Sequence, residues 1–410
     1  MKISFSPPDI SEAEINEVAD ALRSGWITTG PKVKKLEKLV AEFSGVGCTE
    51  KGTPRCVCLN SQTACAEMAL RVLGIGEGDQ VITPAYTYTA SASVVCHVGA
   101  ELVLVDIGKD SLEMDYDALE AAITEKTKAI IPVDLGGVPC DYNRIFEIVE
   151  KKKGLFKAEN DIQRAIGRVA VLADTAHAFG AVWQGRPVGS IADFSSTSYH
   201  AVKNMTTAEG GALTWRYIDG IDDDEIYHQL QLLSLHGQSK DALAKTKLGA
   251  WEYDIVGPWY KCNMTDILAA VGLAQFARYP EMLRRRRAMI EKYDAALKPL
   301  GIKTLDHYTD DHQSSGHLYI TNIPGISVEQ RNEIIIKMAE QGVACNVHYK
   351  PLPMHTAYKK LGFDISDFPN AYARFANEIT LPLHTCLKDE EIDYVIDCFK
   401  DIVKDYLPKA

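Results

Sequence analysis

The stretch that decides the fold is SYHAVKN, residues 198–204, which is followed by MTTAEGG, residues 205–211. It holds a single lysine, Lys203, among small and hydroxyl residues, directly after a β-like run and shortly before a Gly-Gly pair. Farther upstream, another β-like run ends in Asp174. In a parallel sheet covered by helices, side chains that follow the strands meet at the carboxyl edge, where ligands bind. The two segments therefore predict such a sheet with a site at that edge.

Apolar β-like runs and helical segments alternate on both sides of this stretch. Continuous apolar strands alternating with helices are typical of a mostly parallel sheet covered on both faces. An opening helix is also predicted, with Ser11 as N-cap and Glu14 completing a capping box. The predicted strands are 57–60, 80–83, 101–105, 129–133, 169–173, 193–198 and 211–215, and the predicted helices are 11–24, 31–43, 63–73, 88–98, 116–123 and 143–152.

The last third of the chain has a different pattern. A long helix is predicted from Asp266 to Leu297, and a smaller α+β region follows it. Its predicted elements are strands at 318–323 and 344–349 and helices at 328–341 and 389–403. We expect two domains: a large one, 1–275, with an N-terminal helical segment, and a small C-terminal one, 276–410.

Composition narrows the class of protein. The chain has 410 residues, 46% of them hydrophobic and 24% charged, with a net charge of −12. This balance favours a globular protein that does not bind nucleic acid, and residues 284–287, four arginines, are expected to form an ion-paired helix face. The N-terminus lacks an apolar signal region and no run is long enough to span a bilayer, so we expect a cytoplasmic protein with no membrane partner. The ten cysteines form no CxxC pair, which indicates free thiols and no metal site.

Two further segments carry residues that suit a phosphate and an aromatic ring. NSQTA, residues 60–64, leaves a strand and opens a helix, whose N-terminal N–H groups suit a phosphate. PAYTYTA, residues 84–90, follows the next strand and offers tyrosines that could lie on a ring. Taken singly, the first segment is better explained by an ordinary helix cap and the second by a core tyrosine.

Lys203 and Asp174 together match the chemistry of pyridoxal 5′-phosphate (PLP). A lysine amine forms a Schiff base with the cofactor's aldehyde, and a buried carboxylate pairs with its pyridine nitrogen. A carboxylate at the end of an apolar strand is costly to bury without such a cationic partner. Taken singly, a capping aspartate and an exposed lysine remain the ordinary explanations, whereas the two residues together are what a PLP enzyme requires of its protein.

Over nearly its whole length the chain resembles the DegT/DnrJ/EryC1/StrS family of PLP-dependent sugar aminotransferases. The Asp174 and Lys203 segments are the most specific part of this resemblance. The segments that carry it are GWITTGP (25–31), GDQVITP (78–84), DTAHAFG (174–180), SYHAVKN (198–204), YKCNMTD (260–266), VHYKP (347–351) and LPL (381–383).

The resemblance implies a fold, a cofactor and roles for individual residues. The fold is the PLP-dependent transferase fold of type I: α/β, with a mostly parallel sheet in the large domain and a smaller α+β domain. PLP is covalently held by Lys203, and Asp174 pairs with its ring nitrogen. The other implied cofactor contacts are Thr63, Ala64 and Ser198 at the phosphate, Tyr88 and Ala176 on the two ring faces, His177 facing the ring, and Asn263 reaching the phosphate of a neighbouring subunit. Trp26, Thr28, His348 and Tyr349 are candidates for the sugar side.

The implied reaction moves an amino group from an amino acid, L-glutamate, to a nucleotide-linked keto-sugar by a ping-pong mechanism, within a homodimer that shares its active sites. Two alternatives stay open: a PLP-dependent sugar dehydratase-like enzyme and a non-catalytic PLP-binding regulatory protein. Relatives of the first kind carry histidine at the position of Lys203, and the second kind need not keep the full cofactor set. The chain departs from the family at Gln62 and Cys65 and at two insertions, 48–55 and 151–168, which we expect to be surface loops.

Overall fold

A seven-stranded sheet forms the centre of the large predicted domain in the computed structural model, which describes residues 1–239 and 252–407. The parts of the two predicted domains at 240–251 and 408–410 lie outside the described residues. The strands up to residue 215 are β1 (Cys56–Leu59), β2 (Gln80–Pro84), β3 (Glu101–Val105), β4 (Thr127–Ile130), β5 (Ala170–Asp174), the short β6 (Val182–Trp183) and β7 (Arg186–Pro187), β8 (Phe194–Ser198) and β9 (Gly211–Trp215).

The order of the large sheet is β1-β9-β8-β5-β4-β2-β3. The four neighbouring pairs from β8 to β3 are parallel, whereas β9 is antiparallel to both β8 and β1. Because β9 reverses direction between them, β1 points the same way as β8 and β5. Their carboxyl ends therefore lie at one edge, and Gly211, which begins β9, pairs there with Leu59 and Ser198.

Helices cover this sheet, and their ends follow from local sequence. The predicted capping box at Ser11 is confirmed: its backbone N–H donates to Glu14 at 2.6 Å, and its side chain caps the first turn. Gly25 ends that helix in the left-handed conformation, with φ of 74°. The helices up to residue 297 are α1 (Glu12–Ser24), α2 (Pro31–Phe43), α3 (Gln62–Val72), α4 (Ala90–His97), α5 (Tyr116–Ala122), α6 (Tyr142–Lys151), α7 (Asp161–Ile166), α8 (Asp223–Ser234) and α9 (Asp266–Leu297).

The C-terminal part has its own apolar core, to which the N-terminal Ile3 also contributes. Its three-stranded sheet has the order β10-β12-β13, while β11 pairs with β6 of the large part. The elements are β10 (Lys303–Thr304), β11 (His312–Gln313), β12 (Tyr319–Asn322), β13 (Glu378–Leu381), α10 (Val328–Glu340), α11 (Thr356–Lys360), α12 (Pro369–Ala376) and α13 (Asp389–Val403).

Helix α9 runs through the predicted domain boundary at residues 275 and 276. Leu273 packs with the core of the large part, whereas Met289 and Ile290 pack with the C-terminal core. The division into two domains stays a prediction. None of the helices in the described ranges is both long and apolar enough to cross a membrane.

The predicted strand at 344–349 does not form. Only Asn346 pairs with β13, opposite Thr380. The backbone N–H of His348 donates instead to the carboxylate of Glu378 at 2.8 Å, and that of Val347 donates to the Asn346 side chain at 2.8 Å. Side chains thus take the hydrogen bonds that a strand would need.

The arginines at 284–287 behave largely as predicted. Arg284, Arg285 and Arg287 form ion pairs with acidic side chains. Arg286 differs, because it is 3% exposed and donates to the carbonyl oxygens of Gly316 and Leu383. The four arginines therefore stabilise helix α9 and its packing against the C-terminal part.

The prediction of a surface loop at 151–168 is wrong in part. The segment contains α7, and Gln163 is buried with its amide donating to the carbonyl of Leu73 at 2.8 Å. Arg168 is also buried and forms a two-bond ion pair with Asp193. At 48–55 the chain forms a short turn closed by pairing between Cys48 and Pro54.

Candidate active site

A cavity of about 960 Å³ opens at the carboxyl edge of the large sheet. Its walls come from the segments after β1, β2, β5 and β8 and from residues 346–358 of the C-terminal part. The structure thus brings together nine of the residues singled out from sequence: Thr63, Tyr88, Asp174, Ala176, His177, Ser198, Lys203, His348 and Tyr349.

Asp174 is the last residue of β5 and is 5% exposed. Its carboxylate accepts hydrogen bonds from the Ser91 hydroxyl at 2.7 Å and from the Ala176 N–H at 3.1 Å. Burial raises the pKa of Asp174, while the bond from Ser91 opposes that rise. Such a carboxylate would be stabilised by a cation placed beside it.

Lys203 lies on the loop that joins β8 to β9. The loop is closed at its base, because the Tyr199 N–H donates to the carbonyl of Gly210 and the Thr207 N–H donates to that of Tyr199, both at 2.9 Å. Burial lowers the pKa of Lys203 to about 8, against the attraction of Asp174. Within the described ranges its amine has no hydrogen bond, so it is free to react with a ligand in the cavity.

The start of helix α3 forms another wall. Ser61 is the N-cap and accepts a hydrogen bond from the Ala64 N–H at 3.1 Å. In the part of the chain that the structure describes, the N–H groups of Gln62 and Thr63 have no partner. First-turn N–H groups of a helix favour an anion such as phosphate, and Ser198, also in the cavity wall, adds a hydroxyl.

Gly211 makes this wall possible. A Cβ at this position would lie 2.5 Å from the backbone nitrogen of Gln62 and 2.6 Å from the carbonyl carbon of Ser61. Only a residue without a side chain lets β9 run so close to the turn before α3. The pairing of Gly211 with Ser198 therefore places the helix start beside the end of β8.

Aromatic side chains also line the cavity. Tyr88 is 61% exposed, and its ring centroid is 5.9 Å from that of Tyr349. Tyr349 contacts His177 through a hydrogen bond of 3.2 Å, and His177 packs against His317 with ring centroids 4.3 Å apart.

Four predicted residues lie outside the cavity of one chain. Ala64 turns its N–H to Ser61, as described above. The Trp26 indole donates to the carbonyl of Thr29 at 3.1 Å, and the Thr28 carbonyl accepts from the N–H of Asp266 at 3.0 Å. Asn263 donates to the Thr29 hydroxyl at 2.6 Å. The roles of all four stay predictions.

Sequence reasoning missed several residues of the site. Ser91 sits in an Ala/Ser/Val helix, where nothing marks it as the partner of Asp174. Gln62 was noted only as a departure, although its amide donates to Ser196 at 3.0 Å beside Asp174. Its helix-start position was the available signal. Other cavity residues not singled out are His200, Glu209, Lys350, His355 and Tyr358.

These features fit PLP. The buried carboxylate of Asp174, the reactive amine of Lys203 and the unpartnered N–H groups of α3 face one space, and each suits a different part of this cofactor: its ring nitrogen, its aldehyde and its phosphate. The donor set is that of a PLP site, and the cavity has room for a substrate as well.

Comparison with known proteins agrees with this geometry. The sequence profile of the DegT/DnrJ/EryC1/StrS aminotransferase family matches residues 8–400. The spore coat polysaccharide biosynthesis protein SpsC of Bacillus subtilis is 36% identical over 409 residues, which cover 98% of this chain and 97% of that protein.

Solved structures show the same relationship. Spr1654 of Streptococcus pneumoniae, assigned as a sugar aminotransferase, superposes in its PMP form with a TM-score of 0.95 at 57% identity, covering 99% of this chain and 100% of that one. Its PLP form superposes with a TM-score of 0.94 at 56% identity, covering 100% of both chains. The expected fold of type I and the cofactor, PLP, are thereby confirmed.

Proposed function

The chain belongs to the DegT/DnrJ/EryC1/StrS aminotransferase family and is a PLP-dependent sugar aminotransferase; we propose that it moves the amino group of L-glutamate to a nucleotide-linked keto-sugar in a ping-pong sequence. The observation that carries this proposal is the meeting of Lys203, Asp174 and the start of α3 around one cavity. A reactive amine, a buried carboxylate and an anion site are what this chemistry requires of the protein.

When bound, PLP supplies an electron sink for the bond being broken at the carbon that carries the nitrogen. Lys203 would hold this cofactor covalently and, as a neutral amine, would move a proton to and from that carbon. This task needs the neutral amine. The lowered pKa of Lys203, about 8, makes that form far more abundant near neutral pH than in a free lysine.

Asp174 would hold the cofactor's ring nitrogen in its protonated form, which is the form that draws electrons. Its ionised form is the one that can do this. The hydrogen bonds from Ser91 and the Ala176 N–H favour ionisation and offset part of the effect of burial on the pKa of Asp174.

The outer cavity offers polar groups for a sugar and its nucleotide. Lys350 and His355 lie on the C-terminal side, and His200 and Glu209 lie near Lys203. A cationic lysine suits a diphosphate, and the other groups suit sugar hydroxyls. We therefore assign the inner part of the cavity to the reacting carbon and the outer part to the carrier group.

We propose that the functional unit is a homodimer with shared sites. The segment 255–260 holds four large apolar residues that are at least 39% exposed in one chain and are suited to contact a second copy: Ile255, Val256, Trp259 and Tyr260. Asn263 lies three residues after Tyr260 and outside the cavity of its own chain, which is consistent with a contact to the cofactor of the neighbouring subunit. Twofold symmetry would then give two equivalent sites.

Mixed dimers test this arrangement. Lys203→Ala and Asn263→Ala each damage the active sites of a homodimer. In a mixed dimer one subunit carries each substitution, and if each site takes its lysine from one subunit and its asparagine from the other, both substitutions fall in the same site. The second site then has both native residues. We expect the mixed dimer to recover activity that neither parent has. Mixtures that stay inactive, although exchange is shown by tagged subunits, would contradict shared sites.

The reaction class is tested by adding L-glutamate alone to the cofactor-loaded protein. We expect the absorbance of the lysine-bound cofactor to disappear and one equivalent of 2-oxoglutarate to form, since a ping-pong enzyme completes this half without the sugar. A subsequent screen of nucleotide keto-sugars should restore the band. No change with any amino acid would contradict the proposal.

Attachment at Lys203 has a matched control within the cavity. Lys203→Ala should abolish the lysine-bound band, whereas Lys350→Ala should keep it, because Asp174 acts electrostatically on Lys203. A band that survives Lys203→Ala would assign attachment to another lysine.

We place the reaction in the cytoplasm. All ten cysteines are free in the structure, and Cys56, Cys58, Cys65 and Cys140 are buried as thiols. Free thiols suit a reducing compartment. Fractionation of the producing cell, with the activity followed, tests this placement.

A further inference from the structure

The ring of His177 is held so that the role of each nitrogen is fixed. Its Nδ1 faces the backbone N–H of Gly136 at 3.2 Å, and its Nε2 faces the Tyr349 hydroxyl at 3.2 Å. The ring of His317 packs beside it, and the Ser315 hydroxyl donates to the His177 carbonyl. His177 therefore has little freedom to turn.

A backbone N–H can only donate, so Nδ1 of His177 must be the unprotonated nitrogen that accepts. The ring's one proton then lies on Nε2, and Nε2–H donates to the oxygen of Tyr349. The neutral state agrees with the surroundings, because burial, aided by Lys203 and His348, holds the pKa of His177 well below its usual range.

The consequence falls on Tyr349. Its oxygen accepts from His177, so its own proton is left for another partner. Within the described residues the hydroxyl makes no other hydrogen bond, and Tyr349 lines the cavity together with Tyr88 and Lys203. Burial raises the pKa of Tyr349, so the hydroxyl keeps its proton at working pH.

We propose that Tyr349 donates a hydrogen bond to an oxygen atom of the ligand in the cavity, and that His177 and the Gly136 N–H act as positioning groups that fix Tyr349 as the donor. The proposal rests on the proposed function and deepens it, because it assigns the hydrogen-bond donor to Tyr349 and the acceptor to the ligand. The partner must be an acceptor, either the ring oxygen of the cofactor or a carbonyl or carboxylate oxygen of a substrate.

The chain offers a sharp set of variants. Tyr349→Phe removes only the hydroxyl. His177→Gln keeps an oxygen that can accept from Gly136 and an N–H that can donate to Tyr349, whereas His177→Leu removes both groups. Tyr293→Phe is the control for losing a buried tyrosine hydroxyl, since Tyr293 donates to the carbonyl of Pro382 in the C-terminal core.

Two measurements distinguish the sources of the acceptor oxygen. The first is a pH titration of the absorbance of the cofactor-loaded protein without substrate, which reports a bond to the ring oxygen. The second is single-turnover kinetics with L-glutamate and with a keto-sugar, which reports a bond to substrate as a change in half-saturation concentration or rate.

We expect Tyr349→Phe to shift one of these readouts by about three- to tenfold, the effect of one hydrogen bond. His177→Leu should shift the same readout in the same direction, His177→Gln should stay near the wild type, and the Tyr349→Phe/His177→Leu double variant should change no more than Tyr349→Phe alone. Tyr293→Phe should leave both readouts unchanged.

Three results would overturn the proposal: no change with Tyr349→Phe in either readout, additive effects of the two substitutions, or equal effects of His177→Gln and His177→Leu. Tyr349→Phe decides alone if His177→Leu does not fold. Failure of the proposed function is visible separately, because the wild type would then not react with L-glutamate in the same assay.

Discussion

Replacing Gly211 by alanine should move the anion site without touching any side chain in it. The new Cβ would lie 2.5 Å from the Gln62 nitrogen, and ordinary contact begins at 3.4 Å, so the atoms must separate by about 0.9 Å. Strand β9 is held by ladders on both sides, to β1 and to β8. The turn at Ser61 has fewer constraints, so we expect it to yield and to carry the first N–H groups of α3 with it.

A displacement of that size is enough to break a hydrogen bond to phosphate, because such bonds weaken rapidly beyond their normal length. One bond to a charged group contributes about 1.5–3 kcal/mol, which corresponds to roughly 10- to 150-fold in the dissociation constant. The assay is titration of the apoprotein with PLP, followed by absorbance. Gly154→Ala is the matched control, since no atom lies within 4 Å of its Cβ and its backbone is not left-handed.

The thermal unfolding of both apoproteins separates local from global effects. The reasoning is refuted if Gly211→Ala binds PLP as tightly as Gly154→Ala does, because the helix start would then tolerate the added carbon. A Gly211→Ala protein that loses affinity only in proportion to its unfolded fraction would refute it as well.

Two other predictions concern the cofactor's partners. The rate of covalent PLP attachment to the apoprotein should rise about tenfold per pH unit up to about pH 8 and then level off. The reason is that only neutral Lys203 reacts and burial lowers the pKa of Lys203 to about 8. Stopped-flow absorbance measures this rate, and a rise that continues towards pH 10 would contradict the prediction. Ser91→Ala should weaken PLP binding several-fold, more at pH 6 than at pH 8, because losing the 2.7 Å hydrogen bond raises the pKa of Asp174 further and protonates the carboxylate first at low pH. Ser93→Ala, on the same helix, is its control in the same titration, and equal losses in the two variants would contradict the assignment.

Much of the fold could be predicted from the sequence because local signals agree with it. The capping box at Ser11 and the apolar runs that became β5, β8 and β9 are local features, and they were confirmed within a residue or two. The strand predicted at 344–349 was wrong because the side chain of Glu378, distant in sequence, takes the hydrogen bond of His348. No local sequence pattern predicts that the Glu378 carboxylate would take this hydrogen bond.

The same distinction between local and long-range signals applies to the residues of the site. Asp174 and Lys203 could be singled out because strand ends and the loops that follow them carry function in this kind of sheet. Ser91 and Gly136 could not, because their importance comes from contacts with residues 83 and 41 positions away in sequence. Which nitrogen of His177 donates and which accepts depends on the Gly136 N–H and the Tyr349 hydroxyl, and these lie beside His177 only in the folded chain.

The reversal of β9 links the fold to the chemistry. If β9 ran parallel to its neighbours, its start would lie at the opposite edge and a strand end with its own loop would separate β1 from β8. Because it is antiparallel, its first residue sits between the ends of β1 and β8. A side chain at that position would displace the Ser61 turn, since the turn occupies the space. The glycine at 211 and the direction of β9 are therefore both needed. Together they bring the start of helix α3 and the loop of Lys203 to the same cavity, so that one bound molecule can reach both.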